Sequence, residues 1–320
     1  MITSPKVSVV VPAYNVRSYI SEALVSLERQ SYQEFEVLIV DDGSTDDTAE
    51  LVKPFCQRDS RFQLLQKSNG GLSSARNYGI RHARASYIAL LDADDVYKPD
   101  KLANHVAVLD REPEVGVVYS ASQAIRDDGS PTIIRLSGKP VMSDPLLALL
   151  CKNFIGHGSN GVFRSCLVDE VGEFDEGLRS SEDIDFWLRI AATGRWRFHR
   201  EPKVLCCYRV RPSGLSFNIT QMQHSHEQVL TAAYQRSPEL VEKVLPTAYA
   251  YMYRYLARLS LTAGDVAKAV HFINQALAAN SSIFYRDPRS LLTLVAVRLA
   301  PLAKLVIKRS LGSAEYTANN

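Results

Sequence analysis

Two carboxylates flank one small residue at Asp92-Ala93-Asp94, directly after the apolar run Tyr87-Ile88-Ala89-Leu90-Leu91. Carboxylate oxygens are the hard ligands that Mg²⁺ and Mn²⁺ prefer. A site that must also hold a diphosphate offers only one or two of them, leaving positions for phosphate oxygens and water. The same segment also reads as a helix cap, with Asp94 or Asp95 opening the helix after Tyr97. A second acidic pair, Asp41-Asp42, ends another apolar run before Gly43-Ser44. Asp42 can accept hydrogen bonds from a base N–H or from ribose hydroxyls, while Asp46 and Asp47 suit the first turn of the following helix. Gly70-Gly71 is a turn that opens a helix carrying Arg76. Exposed N–H groups and a guanidinium there suit a nucleotide phosphate or ribose, and an ordinary turn uses the same glycines. The spacing matches neither G-x-G-x-x-G nor G-x-x-x-x-G-K-[ST], which disfavours a dinucleotide fold and a P-loop. In Ser180-Ser181-Glu182-Asp183-Ile184-Asp185-Phe186-Trp187, Ser181 reads as an N-cap and the acids complement the helix dipole. Asp183 is equally placed to be a general base for a hydroxyl.

The elements that must position these residues alternate. Val7 to Val11, Val37 to Val40, Phe62 to Gln66, Tyr87 to Leu91 and Val115 to Tyr119 are short apolar runs of the kind buried strands show. Helical segments fall between them: about 17–29, with Ile20, Leu24 and Leu27 on one face, one starting near Thr45, about 72–83, and one near Pro99. This alternation predicts an α/β sheet, mostly parallel and flanked by helices. Ligands of such sheets bind beyond the C-terminal strand ends, where Asp41-Asp42 and Asp92 to Asp95 fall. After about Asn218 strand signals stop. Residues 249–261, 266–279 and 290–308 read as helices, the first two split by Gly264-Asp265 and similar to one tetratricopeptide hairpin, too little for a solenoid.

Composition narrows the class. The 320 residues are 46% hydrophobic and 22% charged with a net charge of +2, so a sizeable core is available and nothing global argues for nucleic acid. Five cysteines without a Cys-x-x-Cys pair suggest neither a disulfide framework nor a zinc site, and a reducing cytoplasm fits. The N-terminus lacks the pattern of a signal peptide, and no apolar run reaches the length of a membrane span.

Taken together, five stretches resemble the family-2 glycosyltransferases: Val7 to Asn15, Val37 to Asp46, Gly70 to Gly79, Leu90 to Asp95 and Ser181 to Trp187. They stand in the family's order and cover about residues 5–215. The resemblance implies a GT-A catalytic domain over 1–218 and a helical appendage over 219–320. It implies that Pro12, Ala13 and Tyr14 line the nucleotide base, with Tyr14 stacking, and that Asp42 binds the base, usually uracil. Arg76 would sit near the nucleotide and Asp92 would contact ribose or metal. Asp94 would ligate Mn²⁺ or Mg²⁺ on the diphosphate, and Asp183 would be the base of an inverting single displacement. Glu182, Trp187, His157 and Arg211 are candidate donor or acceptor contacts. His157 also reads as an ordinary loop histidine. Tyr208 to Ser216 is similar to the family's closing segment, but Arg211 stands where that segment often carries His, and arginine cannot ligate a metal. No Gln-x-x-Arg-Trp motif follows the base, so one sugar per encounter is expected rather than polymerisation.

From Arg289 to Ser313 there is no acid, while Arg289, Arg298, Lys304, Lys308 and Arg309 stand among leucines and valines. Such a segment, taken as 289–310, can lie on an anionic membrane or pack its apolar side on the helical hairpin. Contact with the inner face of the membrane would suit a lipid-linked acceptor in surface polysaccharide or glycolipid synthesis. The competing function is a noncatalytic nucleotide-sugar sensor or scaffold, which needs no base at Asp183. A sugar-phosphate nucleotidyltransferase would carry a glycine-rich basic loop where Pro12-Ala13-Tyr14-Asn15 stands.

Overall fold

A computed structural model describes residues 4–137, 144–211 and 218–301. The chain forms two compact units: Met1–Leu149 with Asn153–Gly214, and Leu150–Lys152 with Leu215–Asn320.

The first unit begins with strand–helix alternation: β1 (Val7–Ala13), α1 (Ile20–Glu28), β2 (Phe35–Asp41), α2 (Thr48–Arg58), β3 (Phe62–Gln66), α3 (Leu72–His82) and β4 (Tyr87–Leu90). Every residue of β1, β2 and β4 is buried, which is why these runs are apolar without alternation. Helix α3 lies close against β1, because a side chain at Gly79 would collide with Val10. There follow β5 (Val96–Tyr97), α4 (Lys101–Arg111), β6 (Val115–Ile125), β7 (Pro131–Ser137), α5 (Pro145–Cys151), a 3₁₀ turn at Gly158–Asn160, β8 (Val162–Arg164), α6 (Cys166–Val171), α7 (Glu182–Ala192) and β9 (Arg197–Arg209).

The strands form one sheet in the order β3-β2-β1-β4-β8-β6-β9-β5, with β7 beside β6. The α/β architecture with flanking helices is the one expected, and β3, β2, β1 and β4 are parallel. Parallel character does not extend across the whole sheet: β8 runs antiparallel between β4 and β6, and β5 and β7 are also antiparallel. Two- and three-residue strands such as β5 and β8 carry no periodicity, and β9 opens on mostly polar, half-buried residues, so none of them is visible as an apolar run.

The second unit is helical: α8 (Ile219–Arg236), α9 (Pro238–Val241), α10 (Leu245–Thr262), α11 (Val266–Asn280), α12 (Ile283–Arg286) and a final helix, α13, over 288–301. Gly264, at φ +80, turns α10 into α11, and the Asp265 carboxylate caps α11 by accepting from the Lys268 N–H at 3.0 Å. Ala250, Leu256, Ala269, Ile273 and Ala276 are buried in this unit. Helix α13 is inverted relative to a usual surface helix. Ser290, Thr293 and Val297 are buried, whereas Leu291, Leu292, Val295 and Leu299 are exposed by 46–68%. These four apolar residues are therefore not packed on the hairpin, although Val297 is buried and Arg298 bonds to Asn274 of α11. Residues 302–310 of the basic segment lie outside the described residues. No helix among the described residues is long and apolar enough to cross a membrane.

Candidate active site

The C-terminal ends of β1, β2 and β4 bring the sequence candidates together. Pro12 and Ala13 are buried at the end of β1, and Tyr14 follows, 49% exposed. Asn15 adopts φ +50 and joins this end to the next loop. Its N–H donates to Ser44 Oγ at 3.0 Å, and its side-chain oxygen accepts from the Thr45 N–H at 2.8 Å. Asn and Asp tolerate this left-handed conformation better than most residues.

Asp42 is buried, and its carboxylate accepts from the Gly71 N–H at 2.7 Å, the Gly70 N–H at 3.0 Å and Lys67 Nζ at 2.7 Å. These two glycine N–H groups, expected to face a phosphate, instead bind Asp42. The turn and the acidic pair are thus one structure, with Lys67 added to it.

A buried charge relay joins three elements. Arg76, on α3 and 1% exposed, donates through Nη2 to Asp92 Oδ1 at 2.7 Å and through Nη1 to Glu182 Oε1 at 2.5 Å. Burial opposes its charge, but Asp92 and Glu182 outweigh burial and hold it above the ordinary arginine range. Gly158 leaves the room for this pair, since a side chain there would strike the Arg76 guanidinium and approach Asp92 Oδ2. Arg76 therefore acts as the counterion of the acidic cluster.

The start of α7 positions the base candidate. Ser181 adopts φ +60 and makes no side-chain cap bond, contrary to its reading as an N-cap. Serine rarely adopts that conformation, which costs about 1–2 kcal/mol. Directly after it, Glu182 meets Arg76 while Asp183 stays partly exposed. Asn153 Nδ2 donates to Asp183 Oδ2 at 3.2 Å and the Ile184 N–H to Oδ1 at 2.8 Å. Burial and the neighbouring Glu182 push the Asp183 carboxyl up to about 6, against the pull of Arg76. That suits a general base, ionised at neutral pH yet a better proton acceptor than an ordinary carboxylate.

At the acidic triplet the helix-cap reading fails, since the residue preceding α4 is Asp100. Asp94 pairs with Arg211, Nη2 to Oδ2, at 2.7 Å. Burial, then Asp95 and Asp92, push its carboxyl up to about 7 despite Arg211. The cluster is short of positive charge and its donors are carboxylate oxygens, so the residues fit a hard divalent cation. Asp95 is structural: Oδ2 accepts from the Ser159 hydroxyl at 2.6 Å and Oδ1 from the Arg209 N–H at 2.9 Å. Asp95, His157 and Cys206 bring ligand-type atoms within 4.8 Å of one another, but both Asp95 oxygens already accept hydrogen bonds.

Of the candidate donor or acceptor contacts, three are buried: Glu182, held by Arg76, and His157 and Trp187. His157 is buried, bonded through Nε2 to Ser122 Oγ at 2.8 Å and packed on Tyr208 at 4.6 Å. Trp187 is 0% exposed and packs on Phe163 and Phe186. An aromatic at helical spacing fills the core here, as aromatics usually do. Sequence reasoning missed Asn153, Ser159 and Asn160, which lie in one irregular loop. The loop is fixed by Asn160, which bonds the Ser120 N–H, the Ser120 carbonyl and the Ile155 carbonyl. Such a loop has no periodic signal. Only its run of Gly156, Gly158 and Asn160 marks it as a place of close approach.

Comparison with known proteins identifies the family and the fold. The family model for glycosyl transferase family 2 matches residues 8–172, and the chain belongs to that family. It is 32% identical over 219 residues to the uncharacterized glycosyltransferase EpsJ of Bacillus subtilis, covering 66% of this chain. The chain spans 63% of that relative, less than two thirds of its length. Among solved structures, the mannosyltransferase PcManGT of Pyrobaculum calidifontis, in complex with GDP-Man and Mn²⁺, aligns with a TM-score of 0.60 at 22% identity over 95% of this chain and 88% of that one. S. aureus TarS in complex with UDP aligns at 0.56 and 21%, over 88% and 92%. At these identities the two structures support the GT-A type of fold.

Proposed function

We propose that the protein transfers one sugar per encounter from a nucleoside diphosphate sugar to an acceptor hydroxyl, with inversion, and that Asp183 is its base. The observation that carries this reading is the Asp183 carboxylate, partly exposed, raised to about 6, and tied through Glu182 and Arg76 to Asp92. In the reaction, Asp183 takes the proton of the acceptor hydroxyl as its oxygen attacks the anomeric carbon. The bond to the diphosphate breaks on the opposite face, and the nucleoside diphosphate departs with that electron pair. Tyr14 stacks on the base above Pro12 and Ala13. Asp42 and Lys67 border the base, and Arg76 holds Asp92 in place beside the ribose. Asp94, with Asp92 near it, would hold a divalent cation, Mn²⁺ or Mg²⁺, which would supply positive charge against the charge developing on the departing diphosphate. UDP is the nucleotide the family resemblance favours, and TarS was solved with it.

Thermal shift and nucleoside diphosphate release, with UDP- and GDP-sugars in Mn²⁺, test the reading. It predicts stabilisation by one nucleotide class and slow release without acceptor. Stabilisation without release under any acceptor would favour the sensor.

The exposed face of α13 supports a lipid-linked acceptor. Leu291, Leu292, Val295 and Leu299 face outward with exposed Arg289 and Arg298 beside them, and no acid follows until Glu315. An apolar face among cations is the pattern of a helix lying in an anionic interface. The reading places the protein at the cytoplasmic face of a membrane, in surface polysaccharide or glycolipid synthesis.

A further inference from the structure

Arg211 is where the chain departs from its family's pattern, and the structure shows how it is held. Strand β9 ends at Arg209, which is anchored on several sides. Its N–H donates to Asp95 Oδ1 at 2.9 Å and its Nε to the Asp94 carbonyl at 2.8 Å. Its Nη1 donates to the Asp127 carbonyl at 2.7 Å and its Nη2 to Glu22 Oε2 at 2.5 Å. Two residues on, Arg211 lays Nη2 on Asp94 Oδ2 at 2.7 Å, with its guanidinium carbon 4.8 Å from the Tyr19 ring centre. The Tyr19 hydroxyl in turn donates to Asp127 Oδ1 at 2.7 Å. Arg211 is therefore a positioned cation at the carboxylate assigned to the metal, partly open to solvent at 23%.

We infer that Arg211 is a protein-supplied cation for the donor diphosphate, sharing Asp94 with the divalent ion, so that nucleoside diphosphate binding persists when metal is removed. This rests on the reading of Asp94 as the diphosphate carboxylate. A guanidinium carries five N–H donors, so a bond from Nη2 to Asp94 is compatible with bonds to phosphate oxygens. It has no lone pair for a metal, yet stays charged at every working pH. Histidine at this position would be mostly neutral above about pH 6.5. The residue at 211 thus sets how far nucleotide binding depends on the ion.

Isothermal titration of UDP and of GDP into the full chain, in Mn²⁺ and in EDTA, tests this without turnover. For wild type the affinity in EDTA should lie within about tenfold of that in Mn²⁺. Arg211→Ala should lose about tenfold or more in EDTA, the worth of one charge-assisted hydrogen bond, and recover in Mn²⁺. Arg211→His should lose metal-free affinity as Arg211→Ala does at neutral pH, and Arg211→Lys should keep part of it. Far-UV circular dichroism and melting of each variant separate a binding loss from unfolding. Wild-type binding that vanishes in EDTA, or an Arg211→Ala variant matching wild type there, overturns the inference while leaving the transferase reading standing. If neither nucleotide binds wild type even with Mn²⁺, both readings fall.

Discussion

At the scale of single residues, environment separates carboxylates that look alike in the sequence. Asp95 is buried with both oxygens engaged, so it holds a loop, whereas Asp42 fixes the Gly70-Gly71 turn from its place at the end of β2. Asp183 stays partly exposed with a raised carboxyl, so it can exchange a proton. Its value of about 6 sets a pH window. With Asp183 as the proposed base the ionised form is the active one, so turnover should be full above that value and fall as pH drops through about 6. A pH profile of nucleoside diphosphate release at saturating donor checks this, and a flat profile from pH 5 to 8 would contradict it. Gly158→Ala would put a methyl group against the Arg76 guanidinium. Overpacking of this kind costs about 1–3 kcal/mol, and turnover should drop as Arg76 leaves Asp92; melting and release assays read the two effects. Asp183 and Asp94 stand out in the sequence as carboxylates at a helix start and a strand end, where they also read as caps, and only the fold supplies their surroundings. His157 and Trp187 are buried, and whether a ring faces solvent or core depends on elements far away in sequence.

At the scale of elements, Arg76 ties α3 to the end of β4 and to the start of α7. Removing it would strand Glu182 as a buried, unpaired charge. Breaking a buried pair from one side typically costs about 3–5 kcal/mol. Arg76→Met should therefore lower the melting temperature strongly, and adding Glu182→Gln should recover part of the loss. Equal melting of the single and double variants would refute this coupling. The left-handed Ser181 tests the opposite sign. Ser181→Gly removes strain of about 1 kcal/mol, and a rise of about 2–4 °C in Tm is expected. The strands of the parallel half were readable because full burial makes them apolar throughout. Strands β5 and β8 were not, because two or three residues hold their place only through their neighbours.

For the whole molecule, the sequence pointed to a helical region after the catalytic unit, and the basic, acid-free composition of its end was readable directly. Which side of α13 faces outward was not, because leucines at helical spacing ordinarily turn inward. The exposed Leu292 and Leu299 lead to a direct expectation. The full chain should float with vesicles containing anionic lipid and not with neutral ones. Leu292→Asp with Leu299→Asp should abolish flotation and leave nucleotide binding intact. Failure of wild type to float, or self-association through this face in its place, would remove the membrane from the account.

The central claim is that Asp183 acts on the acceptor proton and not on donor binding. Its most direct test compares Asp183→Asn with wild type in donor affinity, by titration calorimetry, and in transfer or donor hydrolysis. The account predicts affinity within a few-fold of wild type and turnover lower by about 10²–10⁴-fold, the span a general base contributes. Affinity and turnover falling together, or turnover surviving the substitution, would contradict it.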